Sequence, residues 1–210
     1  MKIGVLDIQG SVEEHFESLM RLRGAEISLV KKASDFEGLQ GFVIPGGEST
    51  TLSKLIDRFG LRDAIVSFVR EGGLLYGTCA GAILVGSKVF GEVAAGKAAP
   101  DEKVTPLGLL DIDVTRNAYG TQLDSFETEV EVDFGDDGGG ADDDRVVKVP
   151  GVFIRAPKIT RIGADVEILA NHDDEPVLVR GKFEKGEVLA GTFHPELTED
   201  LTIYERFFMG

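Results

Sequence analysis

Gly73-Leu74-Leu75-Tyr76-Gly77-Thr78-Cys79-Ala80-Gly81-Ala82-Ile83-Leu84-Val85 decides the fold. Gly73 to Gly77 is an apolar run of strand length, and Ala80 to Val85 can start a helix directly after it. Between them the turn has the form Gly-x-Cys-x-Gly, the pattern of a strand-to-helix elbow that lifts one side chain above a sheet edge. The glycines suit it because larger side chains would clash in so sharp a turn.

Upstream, the same alternation repeats. Lys2 to Ile8 reads as a buried strand, Gln9-Gly10 as a turn, and Ser11-x-x-Glu14 as a capping box opening a helix through about Arg23. Ile27 to Val30 and Gly41 to Ile44 are short apolar strands, the second ending in Pro45-Gly46-Gly47, and helices are expected over Thr51 to Asp57 and Leu61 to Arg70. Alternating strands and helices imply an α/β fold with a doubly wound, mostly parallel sheet and flanking helices. After Pro106 the texture changes, and Val130-Glu131-Val132-Asp133-Phe134, Glu167 to Leu169 and Val177 to Val179 read as antiparallel strands in the second half. With 210 residues and 42% apolar side chains, the chain is expected to form one domain, 1–210. The acidic, glycine-rich stretch Gly135 to Asp144 has neither the spacing nor the glycine placement of an EF-hand loop and reads as a solvated insertion.

Cys79 on the elbow is the candidate nucleophile, with helix N-terminal amides beside its sulfur to favour thiolate and to donate to an oxyanion. A small buried hydrophobe is the competing reading of a lone cysteine, and the two flanking glycines weigh against it. A thiolate also needs a base and an orienting group, and His194-Pro195-Glu196 offers both after the strand Val188 to Thr192. Proline favours an extended residue before it, and extended residues two apart point the same way. His15, on an amphipathic helix, and His172, in the polar turn Asn171-His172-Asp173-Asp174, read as surface or turn residues, and no metal site is expected at either. Pro45-Gly46-Gly47-Glu48-Ser49-Thr50 can supply a second oxyanion donor, or can be only a tight turn with Ser49 or Thr50 as a helix cap. Gly91 to Ala98 imitates a phosphate-binding loop, but Ala98 stands where a hydroxyl should hold magnesium, and Pro100 interrupts the helix such a loop needs.

In order along the chain, Leu6-Asp7-Ile8-Gln9-Gly10, Pro45-Gly46-Gly47-Glu48-Ser49-Thr50-Thr51, Gly77-Thr78-Cys79-Ala80-Gly81, Arg116-Asn117-Ala118-Tyr119-Gly120, Phe153-Ile154-Arg155-Ala156-Pro157 and Phe193-His194-Pro195-Glu196 resemble the glutaminase subunits of pyridoxal 5'-phosphate synthase, a triad-type (class I) glutamine amidotransferase family. The resemblance implies a flavodoxin-like fold and hydrolysis of L-glutamine to L-glutamate and ammonia without a cofactor. It makes Cys79 the nucleophile, His194 the acid/base and Glu196 its orienting partner. Amides of Gly47 and Ala80 would form the oxyanion hole, and Gly46, Gly47, Glu48, Arg116, Ile154 and Arg155 would contact glutamine. It also implies a synthase subunit as partner, which receives the ammonia, builds pyridoxal 5'-phosphate from a pentose phosphate and a triose phosphate, and orders the oxyanion loop. Two departures stand out: Thr121 where the family usually has arginine, and a longer acidic insertion. Three rival readings share the elbow: a glutaminase serving histidine or purine synthesis, a cysteine peptidase or esterase-like hydrolase, and a binding subunit without catalysis.

Twenty-two Lys and Arg against 37 Asp and Glu give a net charge of -15, which repels nucleic acid and anionic lipid, so neither is an expected partner. The single cysteine excludes an internal disulfide, the apolar stretch Ile3 to Ile8 is too short for a signal-peptide core, and no run nears the roughly eighteen apolar residues of a membrane span. A cytoplasmic chain is expected. Such acidity suits high salt, where self-repulsion is screened. Urea midpoints measured at low and at molar salt should rise with salt, and an unchanged midpoint would remove this reading.

Overall fold

The computed structural model describes residues 1–91, 99–116, 125–135 and 145–210. The body of the phosphate-loop look-alike (92–98), Thr121 and the acidic run 136–144 lie outside these residues.

Strands β1 (Lys2–Leu6), β2 (Glu26–Val30), β3 (Gly41–Ile44) and β4 (Leu74–Thr78) form on the apolar runs and pair in parallel in the order β2-β1-β3-β4. The segments β5 (Lys88–Phe90), β6 (Ile112–Thr115) and β9 (Lys158–Ile162) make a separate three-stranded sheet, and β7 (Ser125–Asp133) pairs with β8 (Val146–Ile154) as an antiparallel ribbon. β12 (Gly186–Gly191) returns to the main sheet parallel to β4, and β11 (Glu175–Phe183) and β10 (Val166–His172) extend it antiparallel. The seven-stranded order is β10-β11-β12-β4-β3-β1-β2. Its parallel part runs β2-β1-β3-β4-β12, the flavodoxin-like winding, in which ligands bind beyond the carboxyl ends of the strands near the β1/β3 reversal.

Helices α1 (Val12–Met20), α2 (Ser49–Arg58), α3 (Arg62–Arg70), α4 (Ala80–Val85) and the short α5 (Thr202–Tyr204), prolonged by a π turn over Glu205–Met209, cover the sheet. Alternation along the strands divides the core in two. Phe42, Ile44, Leu75 and Val188 face Leu52, Ile56, Ile65 and Val69 of α2 and α3. Val43, Tyr76 and Leu189 face the other way, into a cluster with Leu19 of α1, Phe153 of β8, and Tyr204 and Phe208 near the C-terminus.

Local signals set some boundaries and not others. α4 and β3 occupy the expected residues, whereas α1 stops at Met20, short of Arg23, and the chain turns over at Gly24 with φ 83°. The Ser11 capping box does not form, because the Ser11 hydroxyl is drawn to a partner far along the chain, Glu196 Oε1 at 2.7 Å. α2 is capped by neither Ser49 nor Thr50. Glu48 is its N-cap, accepting from the amides of Thr50 and Thr51 at 3.1 and 2.7 Å.

Phe42 is fully buried between Phe36 and Phe68, with ring centroids 4.8 and 6.1 Å away. Phe42→Ala should cost about 3–5 kcal/mol. A urea titration should show the midpoint falling with an unchanged slope.

Candidate active site

Cys79 follows β4 and caps the start of α4 with φ 49° and ψ -100°, a left-handed backbone that a non-glycine residue adopts only when its surroundings impose it. Two close approaches impose it. A Cβ on Gly81 would stand 2.2 Å from the Ile44 carbonyl oxygen of β3, and one on Gly77 would stand 2.6 Å from the Gly81 carbonyl carbon. The Cys79 amide donates to Gly191 O of β12 at 2.8 Å, pinning the elbow on its other side. Ala80, as the first residue of α4, has no intrahelical acceptor for its N–H.

β12 stops at Gly191, and His194 is not part of an extended strand. Its amide donates to Val152 O of β8 at 2.8 Å, and Pro195–Leu197 curl into a 3-10 turn. The expected pairing survives by a different route: the turn, not strand alternation, carries Glu196 back so that His194 Nδ1 and Glu196 Oε1 meet at 2.7 Å. With Nδ1 engaged, Nε2 is the nitrogen left for Cys79. Burial disfavours charge on the imidazole, but interactions with Cys79 and Glu196 outweigh it and push His194 up to about 10. Burial likewise opposes ionisation of Glu196, yet His15, His194 and Ser11 together hold its carboxyl down at about 2.

A cleft of about 380 Å³ opens over this pair. Gly47, Glu48, Cys79, Arg116, Ile154, Arg155 and His194 all line it, so most of the residues singled out from sequence converge. Gly46 sits behind it, where a Cβ would lie 2.5 Å from His194 Cε1, so a side chain there would displace the histidine. Glu48 has several partners at once. Besides capping α2 it accepts from Arg116 at 3.2 Å, and the Thr51 and Thr50 hydrogen bonds overcome burial to hold its carboxyl at about 2. Arg116 also donates to Asp101 at 2.5 Å, and Arg155 lines the cleft from a strained backbone with φ 47°.

Sequence reasoning missed four residues. Gln9 Oε1 accepts from the Glu48 amide at 3.1 Å and steadies the Gly47-Glu48 turn, a role that its place in the turn after β1 did not display. Asp101 carried no signal. Ser11 was spent on a cap that does not form, and His15, expected on the surface, is fully buried. Its Nε2 lies 2.9 Å from Thr78 Oγ1 and 3.4 Å from Glu196 Oε1, and its Nδ1 lies 2.9 Å from the Tyr204 hydroxyl. His172 closes β10 rather than lying in the turn, and it stacks on Phe126 and Phe153 at 5.2 and 5.5 Å. Among the described residues no group of three His, Cys, Asp or Glu side chains is placed to hold a metal ion, and no helix is long and apolar enough to cross a membrane.

A flavodoxin-like sheet with a cysteine elbow beside a histidine-carboxylate pair defines a class, the α/β enzymes of the glutamine amidotransferase type. A family model described as the SNO glutamine amidotransferase family matches residues 5–210, and the chain belongs to that family. It is 46% identical to pyridoxal 5'-phosphate synthase subunit PdxT of Thermus thermophilus, over 98% of this chain and 95% of that one. It is 44% identical to the same subunit of Oenococcus oeni, over 99% and 95%. Among solved structures, a glutamine amidotransferase at 43% identity superposes with a TM-score of 0.80, covering 99% of this chain and 97% of that one. PurLQS from Thermotoga maritima, at 16% identity and a TM-score of 0.70 over 99% and 95%, shares the fold.

The raised His194 and the lowered Glu196 act on stability at opposite ends of the pH scale. Glu196 contributes above its unfolded value near 4.3, and that contribution is lost as pH falls towards about 2. His194 contributes fully below about 6.5 and loses its contribution as pH rises from there to about 10. Urea midpoints should therefore fall between pH 6.5 and 10, and Cys79→Ala, which removes one of the groups raising His194, should flatten that fall.

Proposed function

We propose that this chain is the glutaminase subunit of a pyridoxal 5'-phosphate synthase, a single catalytic domain that releases ammonia from L-glutamine at Cys79 and delivers it to a separate synthase subunit. The observation that carries this reading is the meeting of the elbow with the His194–Glu196 pair, 2.7 Å apart, at the floor of a cleft lined by Glu48, Arg116 and Arg155.

The chemistry follows from the charges. An imidazolium at His194 keeps Cys79 as a thiolate, which attacks the side-chain amide carbon of glutamine. Amides of Gly47 and Ala80 receive the oxyanion, and His194 gives its proton to the departing nitrogen, leaving a glutamyl thioester and ammonia. Now neutral, His194 takes a proton from water, whose oxygen attacks the thioester, and glutamate leaves as the thiolate is restored. Glu196 holds the imidazole in orientation throughout and stabilises its cationic form. Glu48 suits the substrate α-ammonium, while Arg116 and Arg155 suit its α-carboxylate. Gly46, Gly47 and Ile154 complete the pocket.

The loop over the nucleophile is held in its present shape by two bonds, Ser11 N–H to Gly46 O at 3.0 Å and Glu48 N–H to Gln9 Oε1 at 3.1 Å. Reorienting the Gly46-Gly47 peptide breaks the first of them, and glycine allows that rotation at little steric cost. Docking of the synthase subunit supplies the energy for it on this reading.

Ammonia release from glutamine should rise severalfold or more when synthase subunit is added, and Cys79→Ala should lower the stimulated rate by at least about 10⁴-fold. A glutamine-mimicking electrophile should label Cys79 and glutamine should protect it. Equal rates with and without synthase would sink the activation step, labelling indifferent to glutamine would point to a peptidase, and absence of an adduct would point to a binding module.

A further inference from the structure

His15 is a titratable side chain at zero exposure that the steps above do not use. An imidazole buried for packing alone would be replaced at no loss by a hydrophobe, since burying polar atoms costs free energy that only good partners offset. Each of its partners leads to the catalytic groups. Thr78, 2.9 Å from Nε2, is the residue before Cys79. Glu196 Oε1, 3.4 Å from the same nitrogen, is the atom that also receives His194 Nδ1 and the Ser11 hydroxyl, each at 2.7 Å. Tyr204 reaches Nδ1 at 2.9 Å from α5 and packs edge-on against the imidazole.

These contacts fix the tautomer. A carboxylate oxygen near Nε2 requires the proton to sit there, so Nδ1 accepts from the Tyr204 hydroxyl and Nε2–H is shared between Thr78 and Glu196. Burial lowers the affinity of the ring for a second proton; the Glu196 charge opposes this, His194 adds to it and Glu14 opposes it again, and the net direction is down. A ring that is neutral at neutral pH supports Glu196 through its N–H dipole, and only when protonated does it hold the Glu196 carboxyl down by its charge. Glu196 Oε2 is buried without a hydrogen-bond partner among the described residues, so the stabilisation of this carboxylate rests on Oε1.

We propose that His15, set by Tyr204, is a positioning residue for glutamine hydrolysis that locks Glu196 and the residue preceding the nucleophile in fixed relation. It rests on the glutaminase reading for its kinetic consequence but not for its geometry. The ionisable groups facing Glu196 are His194 on its own segment, His15 on α1, Tyr76 on β4 and Tyr204 on α5, with Glu14 acting on His15 and Cys79 on His194.

The test has two arms. The sequence holds only three histidines, so nitrogen-15 spectra of the isotope-labelled chain can follow each ring. In wild type His15 should be neutral with its proton on Nε2 from pH 7 to 9. In His15→Phe the His194 titration midpoint should fall by about one pH unit, as Glu196 loses the contact that fixes its orientation towards His194. In the complex with synthase, His15→Phe should lower kcat for glutamine about tenfold with KM within about twofold, Tyr204→Phe should lower it less, and His15→Gln, which keeps an N–H near Glu196, should recover most of the loss. An unmoved His194 midpoint, or equal losses in His15→Phe and His15→Gln that track the folded fraction, overturns the proposal. Should His15→Phe fail to fold, Tyr204→Phe decides: unchanged kcat and an unmoved His194 midpoint overturn it. A wild-type complex that releases no ammonia defeats the glutaminase reading instead, and the spectra still decide the positioning role.

Discussion

The close approach of the β4 elbow to β3 governs the rest of the site. Gly81 lies so near the Ile44 carbonyl that a Cβ would stand 2.2 Å from its oxygen, and this brings the start of α4 down onto the neighbouring strand. With α4 lowered, the backbone of Cys79 must turn through φ 49°, which lifts the thiol clear of the sheet. Strain of order 1–3 kcal/mol at such a residue persists because the Gly191 carbonyl on one side and Ile44 on the other leave the chain no lower-energy path. The strand order then does the assembly. β1, β3, β4 and β12 are parallel, so the segments after them, carrying Gln9, Gly46-Gly47, Cys79 and His194, all emerge at one edge.

The second requirement is electrostatic. Glu196 is about 5% exposed, and an ion so deeply placed costs several kcal/mol unless its oxygens are engaged. His194 and Ser11, both at 2.7 Å, offset that cost with charge-assisted hydrogen bonds, each worth roughly 1.5–3 kcal/mol. Cys79 and the same Glu196 contact together raise His194, so the ion pair contributes both to the stabilisation of the carboxylate and to the cationic state of the imidazole. A cation next to Cys79 is what a thiolate needs at neutral pH.

Much of the fold was legible because its signals are local. β3 and the start of β4 are continuous apolar runs, as buried parallel strands should be, whereas β7 alternates as an antiparallel strand should. β5, β6 and β9 are short and owe their pairing to contacts between distant segments, which no window of sequence displays. Ser11 illustrates the same limit inside a motif. Ser11-x-x-Glu14 is a good local cap, but a carboxylate arriving from residue 196 offers the hydroxyl a charged acceptor, and the stronger bond wins.

The site divides along a related line. Cys79, Gly46 and Gly47 could be recognised because their positions demand unusual backbone or an absent side chain, and such demands mark the sequence directly. His15, Thr78 and Tyr204 do their work from ordinary helix and strand conformations, with partners 63 and 189 residues apart along the chain. On a helical pattern a histidine facing inward looks like one facing outward, because what makes it tolerable inside is a set of polar atoms that the pattern does not contain. Residues held in strained or crowded backbone thus leave a local trace through the geometry they need. Those that hold them in place become visible only once the chain has folded around them.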